Sequence, residues 1–252
     1  MGTVAETRRN GEPLPPPPMF VEEAAPAAPR EQLVATYVWD LVVRVTHWTI
    51  VLAMIVLSIT GIYLGRPFVA APGPARDTFV MGWMKIVHAY AAIAFSLAVG
   101  SRILWMFVGP RRSGWRNFVP TSKRRLRDMW GTFLFYIMIR PKPPASIGHN
   151  PMAGATYVAV FGLYLVMIFT GLALYSVSSH SYMQAFRFLL PLFHGVQWTR
   201  WIHHVVMWLL IGFSVHHFFS ALLMSRVEKN GVLDSIFSGY KFLPKGMKRD
   251  DE

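Results

Sequence analysis

Four apolar runs, at residues 40–64, 83–108, 153–175 and 201–224, constrain this chain more than anything else in it. Each is long enough to cross the roughly 30 Å of a bilayer's hydrocarbon as a helix. Lipid offers no partner for backbone N–H and C=O groups, so segments of this length satisfy them internally as helices packed together. The fold class expected is all-α integral membrane, a four-helix transmembrane bundle with both termini cytoplasmic. The composition agrees, with 53% hydrophobic and only 15% charged residues. A net charge of +12 would point to nucleic acid in a soluble protein. In a membrane chain it reflects basic cytoplasmic loops facing anionic lipid, and no nucleic-acid partner is expected.

Orientation follows from where the basic residues fall. Between Arg111 and Lys142 stand nine lysines and arginines against the single acid Asp128, which assigns this loop to the cytoplasm. The apolar stretch Met129–Ile139 within it is too short to cross and is expected to lie at the interface. Residues 1–36, with prolines 15 to 18 in a row, read as a disordered cytoplasmic arm without a signal-peptide core. Residues 37–226 form the four-span domain, and residues 227–252 a basic cytoplasmic tail.

The spans contain almost no carboxylates but several histidines, and an ionisable residue at membrane depth is a functional candidate. His203 and His217 lie fourteen residues apart on the last span. On an α-helix that step puts them within about 40° of one face and about 21 Å apart along the axis. His47 lies toward the cytoplasmic side of span one, and His88 opens span two on the outer side. Depth therefore pairs His88 with His203 and His47 with His217. Two imidazoles meeting from facing helices supply both axial ligands of a haem iron, leaving no open position for substrate. The chemistry implied is one-electron transfer between two b-type haems stacked across the membrane. No cysteine is present, which excludes disulfides, thiolate-held clusters and c-type attachment. A histidine-based zinc or iron transporter is the rival use, and it calls for three or four ligands at one place.

The same fourteen-residue step takes His47 to Gly61 and His88 to Arg102. Gly61 falls level with the outer haem, where it admits a porphyrin or serves ordinary small-residue packing. Arg102 falls level with the inner haem, where it pairs with a propionate or snorkels to the headgroups. His204 and His216 point away from the ligand face and are read as hydrogen-bond or helix-contact residues. His180 and His194, in the loop before the last span, carry no assigned role.

Several pieces of the sequence resemble a known family: Arg44-Val-Thr-His-Trp48 with Leu57-Ser-Ile-Thr-Gly61, Ile86-Val-His88, Gly148-His-Asn-Pro-Met-Ala153 with Phe169-Thr-Gly-Leu-Ala-Leu-Tyr175, Arg200-Trp-Ile-His-His204 with His216-His217, and Glu228-Lys-Asn-Gly231 leading to Ser235-Ile-Phe-Ser-Gly-Tyr-Lys-Phe242. Together they resemble the b-type cytochrome subunit of membrane-bound nickel-iron hydrogenases. The histidine layout alone is shared with the gamma subunits of formate dehydrogenases and with thiosulfate-reductase cytochromes. The resemblance implies a bacterial inner-membrane electron-transfer subunit with His47, His88, His203 and His217 as haem ligands. It also implies a periplasmic partner, the hydrogenase small subunit with its large subunit, and quinone as acceptor. Formate dehydrogenase, or another dehydrogenase or reductase, is the alternative partner. By similarity to an Asn beside the quinone site of the related formate dehydrogenase subunits, the resemblance offers Asn150 and its neighbour His149 as quinone-site or proton-uptake residues, with helix-entry capping before Pro151 as the other reading. Apart from quinone reduction, no catalysis is expected of the chain alone.

Overall fold

A computed structural model of the 252-residue chain describes residues 33–68, 79–110, 113–115, 123–141, 151–178 and 182–244. In chain order these form β1 (Leu33–Tyr37), α1 (Leu41–Gly65), α2 (Val80–Val108), α3 (Lys123–Tyr136), α4 (Pro151–Ser178), a 3-10 helix (Tyr182–Phe188), α5 (Leu189–Leu192), α6 (Val196–Glu228), α7 (Val232–Ser238) and β2 (Tyr240–Pro244). Helices α1, α2, α4 and α6 are long and apolar enough to cross a membrane. The expected all-α membrane bundle is therefore present, with one small sheet added.

Each helix is apolar on nearly all sides, because only one stripe meets its neighbours. About a fifth of the apolar stretch of each span is buried inside the bundle, and side chains such as Leu52, Ile59, Leu97 and Leu209 face outward. In water such a surface would aggregate, whereas in lipid it is the solvated face. The inward stripes meet in one core of Ile50 and Ala53 from α1, Phe95 and Val99 from α2, Val160 and Phe161 from α4, and Val206 and Leu210 from α6. α1 packs along α2, and α4 along α6, so the bundle consists of two helix pairs.

The helices outrun the apolar windows. α6 covers 33 residues, starting five before the expected Trp201 and ending four after Met224, and α2 starts at Val80 rather than 83. Hydropathy registers only the residues in hydrocarbon, and the helical hydrogen bonds continue into the headgroup region. α3 likewise begins inside the basic run and stops at Tyr136, where Met138 turns with φ of 62°. The expected interfacial element is thus displaced from 129–139 to 123–136. With 14 residues it reaches about 21 Å and falls short of a crossing.

The two ends of the domain fasten to one another. β1 pairs antiparallel with β2, from Leu33 opposite Pro244 to Tyr37 opposite Tyr240. Lys241 Nζ meets Glu228 Oε2 at 2.7 Å, and Trp39 Nε1 donates to Ser235 Oγ at 3.0 Å. Arg44 also donates to the carbonyl of Phe237. Gly239, at φ of 90°, makes the turn into β2, and a Cβ there would stand 2.6 Å from the Tyr37 ring. Residues 33–36, expected in the arm, and 227–244, expected in a tail, are therefore parts of one clasp. A five-residue strand whose partner lies some 200 residues away leaves no local signal. The rest of residues 1–36 lies outside the described residues. Asp40, placed before α1, accepts hydrogen bonds from Ser113 Oγ at 2.5 Å and Trp105 Nε1 at 3.4 Å, which ties the start of α1 to the end of α2.

Candidate cofactor site

The four histidines singled out by spacing fall in two layers of the bundle. In one layer, His47 of α1 and His217 of α6 have ring centroids 6.4 Å apart with planes inclined by 59°. Phe213, one turn before His217, stacks on its ring at 5.6 Å, and Trp48 meets the His47 ring edge-on at 5.3 Å. His47 Nδ1 is buried without a hydrogen-bond partner.

In the other layer, His88 of α2 and His203 of α6 lie within electrostatic range of one another. Each is held by a neighbouring helix. Thr60 Oγ1 of α1 lies 2.8 Å from His88 Nδ1, and Thr170 Oγ1 of α4 lies 2.8 Å from His203 Nδ1. The residue after each threonine is a glycine on which the ring rests. A Cβ on Gly61 would stand 3.4 Å from His88 Cε1, and one on Gly171 would stand 3.5 Å from His203 Cε1. Gly61 is thus level with His88, as the fourteen-residue step requires.

Arg102 is 2% exposed and does not snorkel. Its guanidinium carbon lies 5.4 Å from the centroid of the Tyr157 ring on α4, turned into the bundle. Fourteen residues beyond His88, it stands about 21 Å along α2, at the depth of the His47 layer. The other member of each His-His dipeptide, His204 and His216, makes helix contacts. His204 Nδ1 donates to the Arg200 carbonyl at 2.8 Å, and its Nε2 would touch any Cβ placed on Gly65. His216 lies 3.3 Å from Ser220 Oγ, with its ring centroid 6.4 Å from that of Tyr136 on α3. His194 sits in the turn before α6 with φ of 59°. His149, Asn150 and His180 lie outside the described residues.

Among the described residues no three His, Cys, Asp or Glu side chains converge. The arrangement is of pairs, which a multi-ligand zinc site does not use. A metal bonded to an imidazole nitrogen on each side at about 2 Å places the two ring centroids roughly 6 Å apart. The 6.4 Å spacing of His47 and His217 fits that requirement. The two rings are therefore spaced to share a single metal ion between them. Thr60, Thr170, Gly171 and Phe213 were not apparent as site residues in the sequence. The repeated Thr-Gly step of spans one and three was the available signal.

The sequence matches the family described as Prokaryotic cytochrome b561 over residues 38–239, which include all four histidines. The chain belongs to this family. Its curated relatives include the "Probable Ni/Fe-hydrogenase 1 B-type cytochrome subunit" of Escherichia coli (strain K12), 33% identical over 221 residues, 84% of this chain and 92% of that protein. The "Probable Ni/Fe-hydrogenase B-type cytochrome subunit" of Cupriavidus necator is 31% identical, covering 82% of this chain and 87% of its own length. That of Rhodobacter capsulatus is 30% identical, covering 82% and 81%. As a b-type cytochrome of this family, the chain takes haem b, held without cysteine, and is a multi-pass protein of the bacterial inner membrane.

Proposed function

We propose that this cytochrome carries electrons from a periplasmic nickel-iron hydrogenase to membrane quinone through two haems b. His88 and His203 grip the outer haem, and His47 and His217 the inner one. The carrying observation is that His47 and His217, on two different spans, bring their rings to 6.4 Å, while His88 and His203 lie near one another elsewhere in the bundle. Haem b supplies reversible one-electron storage. The protein's residues do the rest: the histidines hold the group rigidly from both faces, and the apolar core between the layers keeps water out. Arg102, buried at the depth of the inner pair, offers its charge to a propionate there. The hydrogenase as donor is supported by the printed names of the relatives. The basic 111–142 loop supports an orientation with the inner pair, both termini and the clasp on the cytoplasmic side. Asn150 and His149, in the approach to α4, belong with the quinone or its proton supply.

The test is copurification of this chain with its hydrogenase partners, followed by addition of hydrogen. Two haems per chain are expected by pyridine haemochrome assay, both reduced by hydrogen and reoxidised by added quinone. Purified chain lacking haem b, or haem that hydrogen does not reduce in the intact complex, would contradict it.

A further inference from the structure

The two histidines of one layer are supported by the same device, built twice. Thr60 is 4% exposed and Thr170 is fully buried. Each sits on a span other than the one carrying its histidine, and each precedes a glycine against that histidine's Cε1. The threonine hydroxyls make two short contacts apiece. Thr60 Oγ1 lies 2.7 Å from the Val56 carbonyl oxygen and 2.8 Å from His88 Nδ1. Thr170 Oγ1 lies 2.6 Å from the Val166 carbonyl oxygen and 2.8 Å from His203 Nδ1.

Proton counting then decides the tautomer. A hydroxyl carries one proton and a carbonyl oxygen carries none, so the short contact to the carbonyl uses the threonine's proton. The contact to the ring is then made by Nδ1–H donating to Oγ1. Nδ1 bears the ring proton, and Nε2 is left with its lone pair. We infer that Thr60 and Thr170 are twin positioning residues that lock His88 and His203 as Nδ1–H tautomers, so that both rings present Nε2 to a single iron.

This rests on the proposed ligand roles of His88 and His203, and it adds an asymmetry between the layers. His47 Nδ1, in the other layer, is buried with no such acceptor. An acceptor on Nδ1–H makes the imidazole more electron-rich, which tightens metal binding and favours the oxidised iron. The threonines therefore lower the potential of the layer they serve. In the proposed orientation that is the entry side, so the sign favours passage of one electron at a time from the outer layer to the inner.

The test uses the full-length, haem-loaded protein carrying Thr60→Val or Thr170→Val, each of which keeps the β-branched shape and deletes the acceptor. Optical redox titration is expected to show the same haem raised in potential in both variants, by about tenfold in the one-electron equilibrium, or about 59 mV. Loss of that haem to a scavenging globin is expected to correspond to 10–100-fold weaker binding, roughly the cost of removing such an outer partner. Thr60→Ser and Thr170→Ser restore both properties. If a valine variant fails to accumulate, the Thr→Ala and Thr→Ser forms carry the same comparison. Unchanged potential and retention in both variants, or a shift falling on the haem lost in His47→Ala, would overturn the inference. Its failure is separable from failure of the ligand assignment. If His88→Ala and His203→Ala still remove one common haem while the threonine variants change nothing, only the threonine role is lost.

Discussion

At the scale of single residues, the histidine pattern was legible because its information is local. A fourteen-residue step on one helix fixes angle and rise together, and no knowledge of neighbours is needed. That step alone separates His203 and His217 from His204 and His216, without reference to packing. The supporting residues were hidden, since Thr60 and Thr170 acquire meaning only where α1 meets α2 and α4 meets α6. Arg102 shows the same limit: its depth was readable, and its inward turn over Tyr157 was not. Removing its charge disfavours the reduced, more negative state beside it. Arg102→Leu is therefore expected to lower the midpoint potential of the haem lost in His47→Ala, leaving the other unchanged, as read by redox titration. A second prediction concerns Gly65, where a Cβ would stand 2.7 Å from His204 Nε2. Gly65→Ala is expected to destabilise the detergent-solubilised protein by about 1–3 kcal/mol through overpacking. In a His204→Ala background the clash is gone and the helix propensity of alanine remains. The same change should then stabilise by up to about 1 kcal/mol, and thermal unfolding of the four forms reads the change of sign.

At the scale of elements, the existence and order of the spans followed from length and apolarity, whereas their ends did not. Helical hydrogen bonds do not stop where hydrocarbon stops, and α6 continues to Glu228, whose carboxylate anchors the clasp. The clasp was invisible because two five-residue strands gain stability only from each other and from the helix ends they cover. Lys241 is 6% exposed, and Glu228 Oε2 accepts from both Lys241 and Asn230. Lys241→Met leaves that carboxylate half-satisfied. Because Glu228 retains some exposure, a cost near the low end of about 3–5 kcal/mol is expected for the clasp. The loss should be local. Hydrogen exchange is expected to accelerate in residues 33–37 and 240–244 while the core around Val99 and Leu210 stays protected, and uniform acceleration would argue that the clasp holds the bundle itself together.

At the scale of the whole molecule, an apolar exterior, a strongly basic loop and two histidine layers suit an electron carrier set across a bilayer. The absence of cysteine makes its orientation directly measurable. Lys123→Cys on α3 is expected to react with a membrane-impermeant thiol reagent only from the cytoplasmic side. Tyr182→Cys, at a site 98% exposed before α6, is expected to react only from the periplasm. The central claim is the pairing of the four histidines, and haem content with redox spectra of the four single His→Ala variants tests it most directly. Each variant is expected to keep one haem of two, with His88→Ala and His203→Ala losing the same one and His47→Ala and His217→Ala losing the other. Loss of a common haem in His47→Ala and His88→Ala would contradict it.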